Sequence, residues 1–342
     1  MKPSQLTALL ATMIPAREPV LITGAPGVGK SDVVEQARKA AGADLIISHP
    51  AVADPTDAKG LPWPGKDGKS ATFLPFGELR QAMDAKVLTV WFLDDLGQAP
   101  AAVQAAYMQL LLARRVNGHK LPDCVTFLAA TNRRTDRAGV GGILEPVKSR
   151  FTTIVELEAD LNDWCMWAFA HMMPAELIAF LRFRQDLLCA FKASADLTNS
   201  PVPRTWAAVG RMMQLGMPND IQHVAFSGAV GEGPAAEFGG FLRMFREMPT
   251  IDGILLDPAG AKLPDQPATL YAVVTALGMR SNEQTFNRIA QYATRMVDSG
   301  RAEFAALLVR DAVRKDSAVQ NTEGFTRLAS GDLGRLISGE AR

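Results

Sequence analysis

Gly24-Ala25-Pro26-Gly27-Val28-Gly29-Lys30-Ser31, GAPGVGKS, follows the apolar run PVLIT directly and opens the helical stretch SDVVEQARKA. Its glycines suit a loop whose backbone N–H groups turn inward, because glycine alone tolerates the backbone angles and the close approach. Such a loop at the start of a helix is a cradle for phosphate. Lys30 would reach the outer phosphates of a nucleotide, and the Ser31 hydroxyl would ligate Mg²⁺. Gly24, Ala25, Pro26, Gly27, Val28, Gly29, Lys30 and Ser31 are therefore the candidate nucleotide-binding residues, with ATP and Mg²⁺ the expected ligands. A glycine-rich turn without a nucleotide is the bland alternative, weakened by the strand before it and the helix after it.

Outward from this loop, PVLITG (19–24), LIIS (45–48), LTVWFLD (88–94) and VTFLAAT (125–131) are short runs rich in β-branched and aromatic residues, bounded by Gly, Asp or Asn. They read as buried strands. Between them, SDVVEQARKAAGA and APAAVQAAYMQLLLARRV carry apolar residues at helical spacing. Alternation of this kind implies a parallel α/β sheet, here a P-loop NTPase αβα sandwich. After Phe151 the strand-like runs stop and helical periodicity takes over. The expected organisation is an ATP-binding αβα domain over 1–157, an all-helical lid over 158–248 and a helical C-terminal region over 249–342. The Pro/Gly-rich stretch 248–267 reads as a linker or lid extension.

Composition agrees with a multidomain chain: 342 residues, 48% of them hydrophobic. Lys plus Arg equals Asp plus Glu at 36 each, so no global charge points to nucleic acid or a membrane surface. Cys124, Cys165 and Cys189 are few and widely spaced, which argues for buried thiols in a reducing compartment. No apolar run approaches the ~18 residues of a spanning helix, and the first residues lack a signal-peptide order. A cytoplasmic location without membrane contact is expected. His49, His119, His171 and His223 show no metal spacing. The Met and aromatic residues of WCMWAFAHMM and FLRMFREM recur at helical spacing and read as core.

With a phosphate loop in place, the strand ending in WFLDDLGQ gains a role. Asp94 would hold Mg²⁺ from the tip of a neighbouring strand, and Asp95 would orient or deprotonate the attacking water. A solvated helix N-cap is the simpler reading of the pair. Asn132, at the tip of the next strand, can contact both that water and the terminal phosphate, although an Asn there is often a turn residue. Arg150, in ILEPVKSRF, is a candidate arginine finger for a neighbouring subunit, or else half of a surface salt bridge. Arg204, in SPVPRTW, stands in a first helical turn, where the helix dipole disfavours a cation. It is a ligand candidate, with structural pairing as the alternative.

This order of motifs resembles the AAA+ ATPases, and most closely the MoxR branch of the helix-2-insert group. Strong from about residue 18 to 155, the resemblance thins across the helical half and is absent after about 250. It rests on GAPGVGKS as Walker A, on WFLDD as Walker B, on a NGHKLPD hairpin before the strand ending in Asn132, on LEPVKSRF and on PRTW. The resemblance implies roles for Lys30, Ser31, Asp94, Asn132, Arg150 and Arg204, in line with the residue-level reading. It also implies a ring, usually a hexamer, with ATP sites between subunits, remodelling a protein partner that commonly carries a von Willebrand factor A domain. One departure stands out: Asp95 occupies a position where this family usually carries Glu. Residues 49–83 look like the helix-2 insert, a hairpin with Trp63, Lys66, Lys69 and Phe73 as contact candidates or a solvated loop folded on itself. A nucleic-acid-dependent motor or loader is the alternative function, with Lys66, Lys69, Arg114, Arg115 and Lys120 on phosphates. A scaffold that binds ATP but hydrolyses it poorly is the third.

Overall fold

The computed structural model describes residues 1–67, 69–136, 141–194, 197–248, 250–331 and 333–338. By its internal contacts the chain divides into two compact units. One runs from Met1 to Asp160 and includes 191–194; the other holds Leu161–Ala190 and the chain from Leu197 onward.

The first unit opens with α1 (Pro3–Ala16), which buries Leu6, Leu10 and Ile14 at four-residue spacing and packs on α2 (Lys30–Ala40). Between these helices lies β1 (Val20–Gly24), and after α2 comes β2 (Asp44–Ser48). Then follow α3 (Pro55–Lys59), an antiparallel hairpin of β3 (Leu61–Pro64) and β4 (Ala71–Leu74), and α4 (Gly77–Asp84). Next come β5 (Thr89–Leu93), α5 (Ala101–Ala113) and a small hairpin of β6 (Arg115–Val116) and β7 (His119–Lys120). The unit closes with β8 (Val125–Asn132), α6 (Glu145–Lys148) and β9 (Thr153–Leu157).

Five strands form one sheet in the order β2-β5-β8-β1-β9, every pairing parallel. With helices flanking it, this is the P-loop αβα sandwich that the strand–loop–helix alternation implied. Register decides where chemistry can gather. Gly24 lies opposite Asn132 on one side and Leu157 on the other, while Leu93 lies opposite Ser48 and Ala129. The carboxyl ends of β1, β5 and β8 therefore finish at one edge, where ligands bind in open parallel sheets. Trp91 anchors β5 beneath that edge: it stacks on Phe127, meets Tyr107 edge-on and donates from Nε1 to Ser48 Oγ at 2.8 Å.

β9 and α1 lay outside the strands and helices read from the sequence. Along β9 only Leu157 is buried, and Thr153, Ile154, Val155 and Glu156 alternate between half-covered and exposed, as on an edge strand.

All described elements of the second unit are helical: α7 (Leu161–Ala170), α8 (Ala175–Phe183), α9 (Pro203–Gln214), α10 (Asn219–Val230), α11 (Glu232–Arg246), α12 (Ile251–Leu256), α13 (Pro267–Met279), α14 (Phe286–Asp298), α15 (Ala302–Lys315), α16 (Glu323–Ala329) and α17 (Leu333–Ser338), with single 3₁₀ turns between some of them. The stretch 248–267 differs from a free linker. Ile254 of α12 is buried, Tyr292 Oη donates to Lys262 O, and the Arg295 guanidinium donates to Pro258 O and Ala261 O. The stretch contains helix α12, and side chains of α14 take backbone carbonyls beyond it. Residues on both sides of the expected 248/249 boundary fall in this one unit. Inside it, Arg182 of α8 pairs with Asp311 of α15 (Nη2–Oδ1 2.8 Å) and donates to Thr275 of α13. Among the described residues, no helix is long and apolar enough to cross a membrane.

Candidate nucleotide site

Three strand tips of the first unit converge on one cluster. From β1 the chain enters the loop with Gly27 at φ 73° and Gly29 at φ 104°, left-handed positions that suit glycine and turn successive N–H groups toward a common concavity. Gly24 answers a different constraint. A Cβ there would stand 2.7 Å from the carbonyl oxygen of Leu157, so the close pass of β9 excludes any side chain. Lys30 begins α2 and is only 7% exposed. Its Nζ donates to Gly24 O (3.0 Å), Ala25 O (3.1 Å) and Asn132 Oδ1 (2.7 Å), which draws the ammonium to the inner wall of the loop.

On the next residue, Ser31 Oγ donates to Asp94 Oδ2 at 2.8 Å. Asp94 is placed by its own backbone: its N–H donates to Ser48 O (2.9 Å), and its other carboxylate oxygen accepts the N–H of Asp95 (3.1 Å). Asp95 adopts φ 56°, the left-handed region that Asp reaches more readily than most residues. Asn132 spans the two halves of the cluster. Its oxygen takes the Lys30 ammonium, and its Nδ2 lies 3.5 Å from Asp95 Oδ1.

A triphosphate with Mg²⁺ fits these residues. A hydroxyl and a carboxylate side by side, as in Ser31 and Asp94, form the hard-oxygen pair that Mg²⁺ accepts alongside phosphate and water. The loop's left-handed glycines and the start of α2 supply amide donors for phosphate oxygens.

Two further candidates stand on other elements. The Arg150 guanidinium donates to Pro146 O and to Ser149 Oγ (2.9 Å) on the turn around α6, rather than to the cluster. Arg204 belongs to the second unit, exposed on the first turn of α9; Val202 N donates to Thr205 Oγ1 (3.0 Å), and Trp206 Nε1 donates to Leu187 O (2.7 Å).

In the insert, Trp63 is 54% exposed, and Lys66 and Lys69 are exposed beside the turn. The hairpin is not isolated: His119 Nε2 bonds to Phe73 O (2.8 Å), and Asn117 Nδ2 donates to Lys59 O (2.8 Å). Of the basic residues considered for phosphate contact, Arg114 spends Nη2 on the carbonyls of Pro122 (2.8 Å) and Val125 (2.7 Å), and Lys120 lies 3.3 Å from Asp123.

Sequence reasoning passed over several supporting residues. Ser48 holds both Trp91 and the Asp94 backbone. Arg133 reaches Asp136 (3.0 Å) and Glu156 (3.0 Å), fastening the end of β8 to β9. The neighbouring carboxylates raise the Arg133 pKa further, so this clamp is always charged. Gln104 is buried on the apolar face of α5; a lone polar residue among Val103, Ala106 and Tyr107 was the signal for it.

In structure the chain is similar to RuvB of Thermotoga maritima, a Holliday junction branch migration motor, with 14% identity over 80% of this chain and 81% of that one and a TM-score of 0.39. It is also similar to NtrX of Brucella abortus solved with ADP, with 16% identity over 97% of this chain and 68% of that one and a TM-score of 0.36. No family model and no curated protein matches the chain. Likeness at this level carries no argument, and the site rests on the distances above.

Proposed function

We propose that this chain is an AAA+ ATPase of the MoxR type, which binds ATP with Mg²⁺, hydrolyses it in an oligomeric ring and uses the cycle to remodel a partner protein. One observation carries the reading. Lys30, Ser31, Asp94, Asp95 and Asn132, drawn from two strand tips and one helix start, form a single connected cluster. In this reading Lys30 and the loop amides bind the phosphates, and Ser31 with Asp94 holds Mg²⁺, which neutralises phosphate charge. Asp95 accepts a proton from the attacking water, with Asn132 orienting that water from the opposite side. Arg150 is presented to the site of the next subunit, and Arg204 takes the nucleotide-sensing role that the motif resemblance gives it.

A hexameric ring and a partner with a von Willebrand factor A domain belong to the same proposal, carried by the motif resemblance. The engagement of Arg114 and Lys120, two of the five basic candidates, by Pro122, Val125 and Asp123 supports a protein partner over a nucleic-acid track. Turnover measured with and without DNA or RNA, at low and high salt, separates the two. The reading expects no stimulation by nucleic acid at either salt; a stimulation that collapses steeply with salt would establish the motor or loader instead.

A further inference from the structure

Gln104 is 2% exposed, and its amide bonds to two separate stretches of backbone. Nε2 donates to Ala99 O at 3.1 Å and to Gly142 O at 2.9 Å, while Oε1 accepts the N–H of Leu144 at 3.0 Å. Both amide protons and the oxygen are thus used, in a buried setting where an unmade bond is costly. The two stretches are functionally different. Ala99 closes the turn that begins at Asp95: Gln98 N donates to Asp95 O (3.0 Å) and Ala99 N to Leu96 O (3.2 Å). Leu144 precedes α6, its carbonyl accepting from Val147 N (2.8 Å) and Lys148 N (3.0 Å), and Arg150 N closes the next turn on Val147 O (3.1 Å). Val147, fully buried, ties α6 to the core that also holds α5. An unbroken series of short bonds therefore runs from the Asp94–Asp95 turn through Gln104 to Arg150.

From this geometry we infer that Gln104 is a positioning residue that fixes the Arg150 segment relative to the carboxylates of its own subunit. It touches neither nucleotide nor metal. The inference rests on the proposed function, in which Arg150 serves the neighbouring subunit's nucleotide. Movement of the Asp95 turn in one subunit then reaches the arginine offered to the next, through one side-chain amide. A residue with only a packing role would be replaceable by an apolar side chain of the same size.

The test compares Gln104→Leu, Gln104→Glu, Arg150→Ala and the Gln104→Leu/Arg150→Ala double variant in the full-length protein. Equilibrium binding of a fluorescent ATP analogue and ATP turnover are read for each, with Lys30→Ala as reference. Gln104→Leu is expected to bind nucleotide within about twofold of the parent and to lose turnover to the level of Arg150→Ala, with the double variant no slower, as coupled positions behave. Gln104→Glu keeps an acceptor for Leu144 N but sets a carboxylate without donors against Ala99 O and Gly142 O, and is expected to lose turnover as Gln104→Leu does. Amide hydrogen exchange at Leu144 rises in Gln104→Leu, while exchange across 24–31 stays unchanged. Weakened nucleotide binding in both Gln104 variants, parental turnover in Gln104→Leu, or losses that multiply in the double variant would each overturn the inference. An Arg150→Ala variant with parental turnover would remove the role being positioned and end the inference, leaving the nucleotide site intact. Turnover that survives Lys30→Ala would instead end the functional reading itself.

Discussion

Asp95 carries the sharpest residue-scale question. Its carboxylate is one methylene shorter than the Glu that the motif resemblance expects, and its backbone is left-handed at φ 56°. The two features belong together. A left-handed residue swings its side chain away from the direction an extended strand would give it, and Asp tolerates that region better than longer residues. Asn132 Nδ2 stands 3.5 Å from the Asp95 oxygen, long enough for the carboxylate to turn toward a water. Replacing Asp95 by Asn keeps shape and nearly all hydrogen bonding but removes the base. Turnover should fall by about 10²-fold or more while affinity for ATP stays within about twofold, measured by steady-state hydrolysis and equilibrium binding. Unchanged turnover would show that Asp95 is not the base. The residue type at 95 was legible in the sequence; its backbone conformation was not, because nothing in WFLDDLGQ distinguishes a left-handed Asp from an extended one.

At the scale of elements, the three inner strands β1, β5 and β8 were readable because each is an apolar run buried on both faces, β8 from end to end, and β2, at one edge, because Leu45, Ile46 and Ile47 still leave an apolar run. Edge strand β9 was not. It buries too little to leave an apolar run, yet it decides why Gly24 is glycine. From the sequence alone Gly24 is one more residue of a phosphate loop; in the fold it is the point where β9 passes 2.7 Å from the place a Cβ would occupy. Gly24→Ala should therefore act through the sheet, costing about 1–3 kcal/mol of stability as an overpacked site does. Chemical denaturation of the variant beside Gly29→Ala, whose added Cβ would meet nothing closer than an Asp32 oxygen at 3.9 Å, separates close approach from the strain of a left-handed angle. Parental stability in Gly24→Ala would mean that β9 yields without cost. Helix α5 teaches a related lesson. Gln104 counts toward helix propensity in a sequence reading, whereas its partners are residues of two distant turns, which local pattern does not encode.

Across the whole molecule, the boundary near residue 160 reflects the change from alternating strands and helices to unbroken helical periodicity, a change of texture visible in the sequence. Less legible was the packing of the Pro/Gly-rich stretch, because the groups that satisfy it come from α14. Each unit also carries a buried tyrosine: burial pushes Tyr107 in the first and Tyr292 in the second up to about 12 from an ordinary 10.0. A raised folded-state pKa means that the unfolded chain releases its phenol protons first. The contribution of the two tyrosines to stability should be flat below pH 10 and fall between 10 and 12, by about 1.4 kcal/mol per pH unit for each tyrosine. Denaturant midpoints across that window check it, with Tyr107→Phe and Tyr292→Phe each expected to flatten part of the slope.

ATP turnover by the purified full-length chain, set beside Lys30→Ala under the same conditions, tests the central claim most directly. The account predicts Mg²⁺-dependent release of phosphate by the parent and none above background in the variant, since Lys30 is the cation that reaches Gly24 O, Ala25 O and Asn132 Oδ1. Turnover in Lys30→Ala equal to that of the parent would contradict the site.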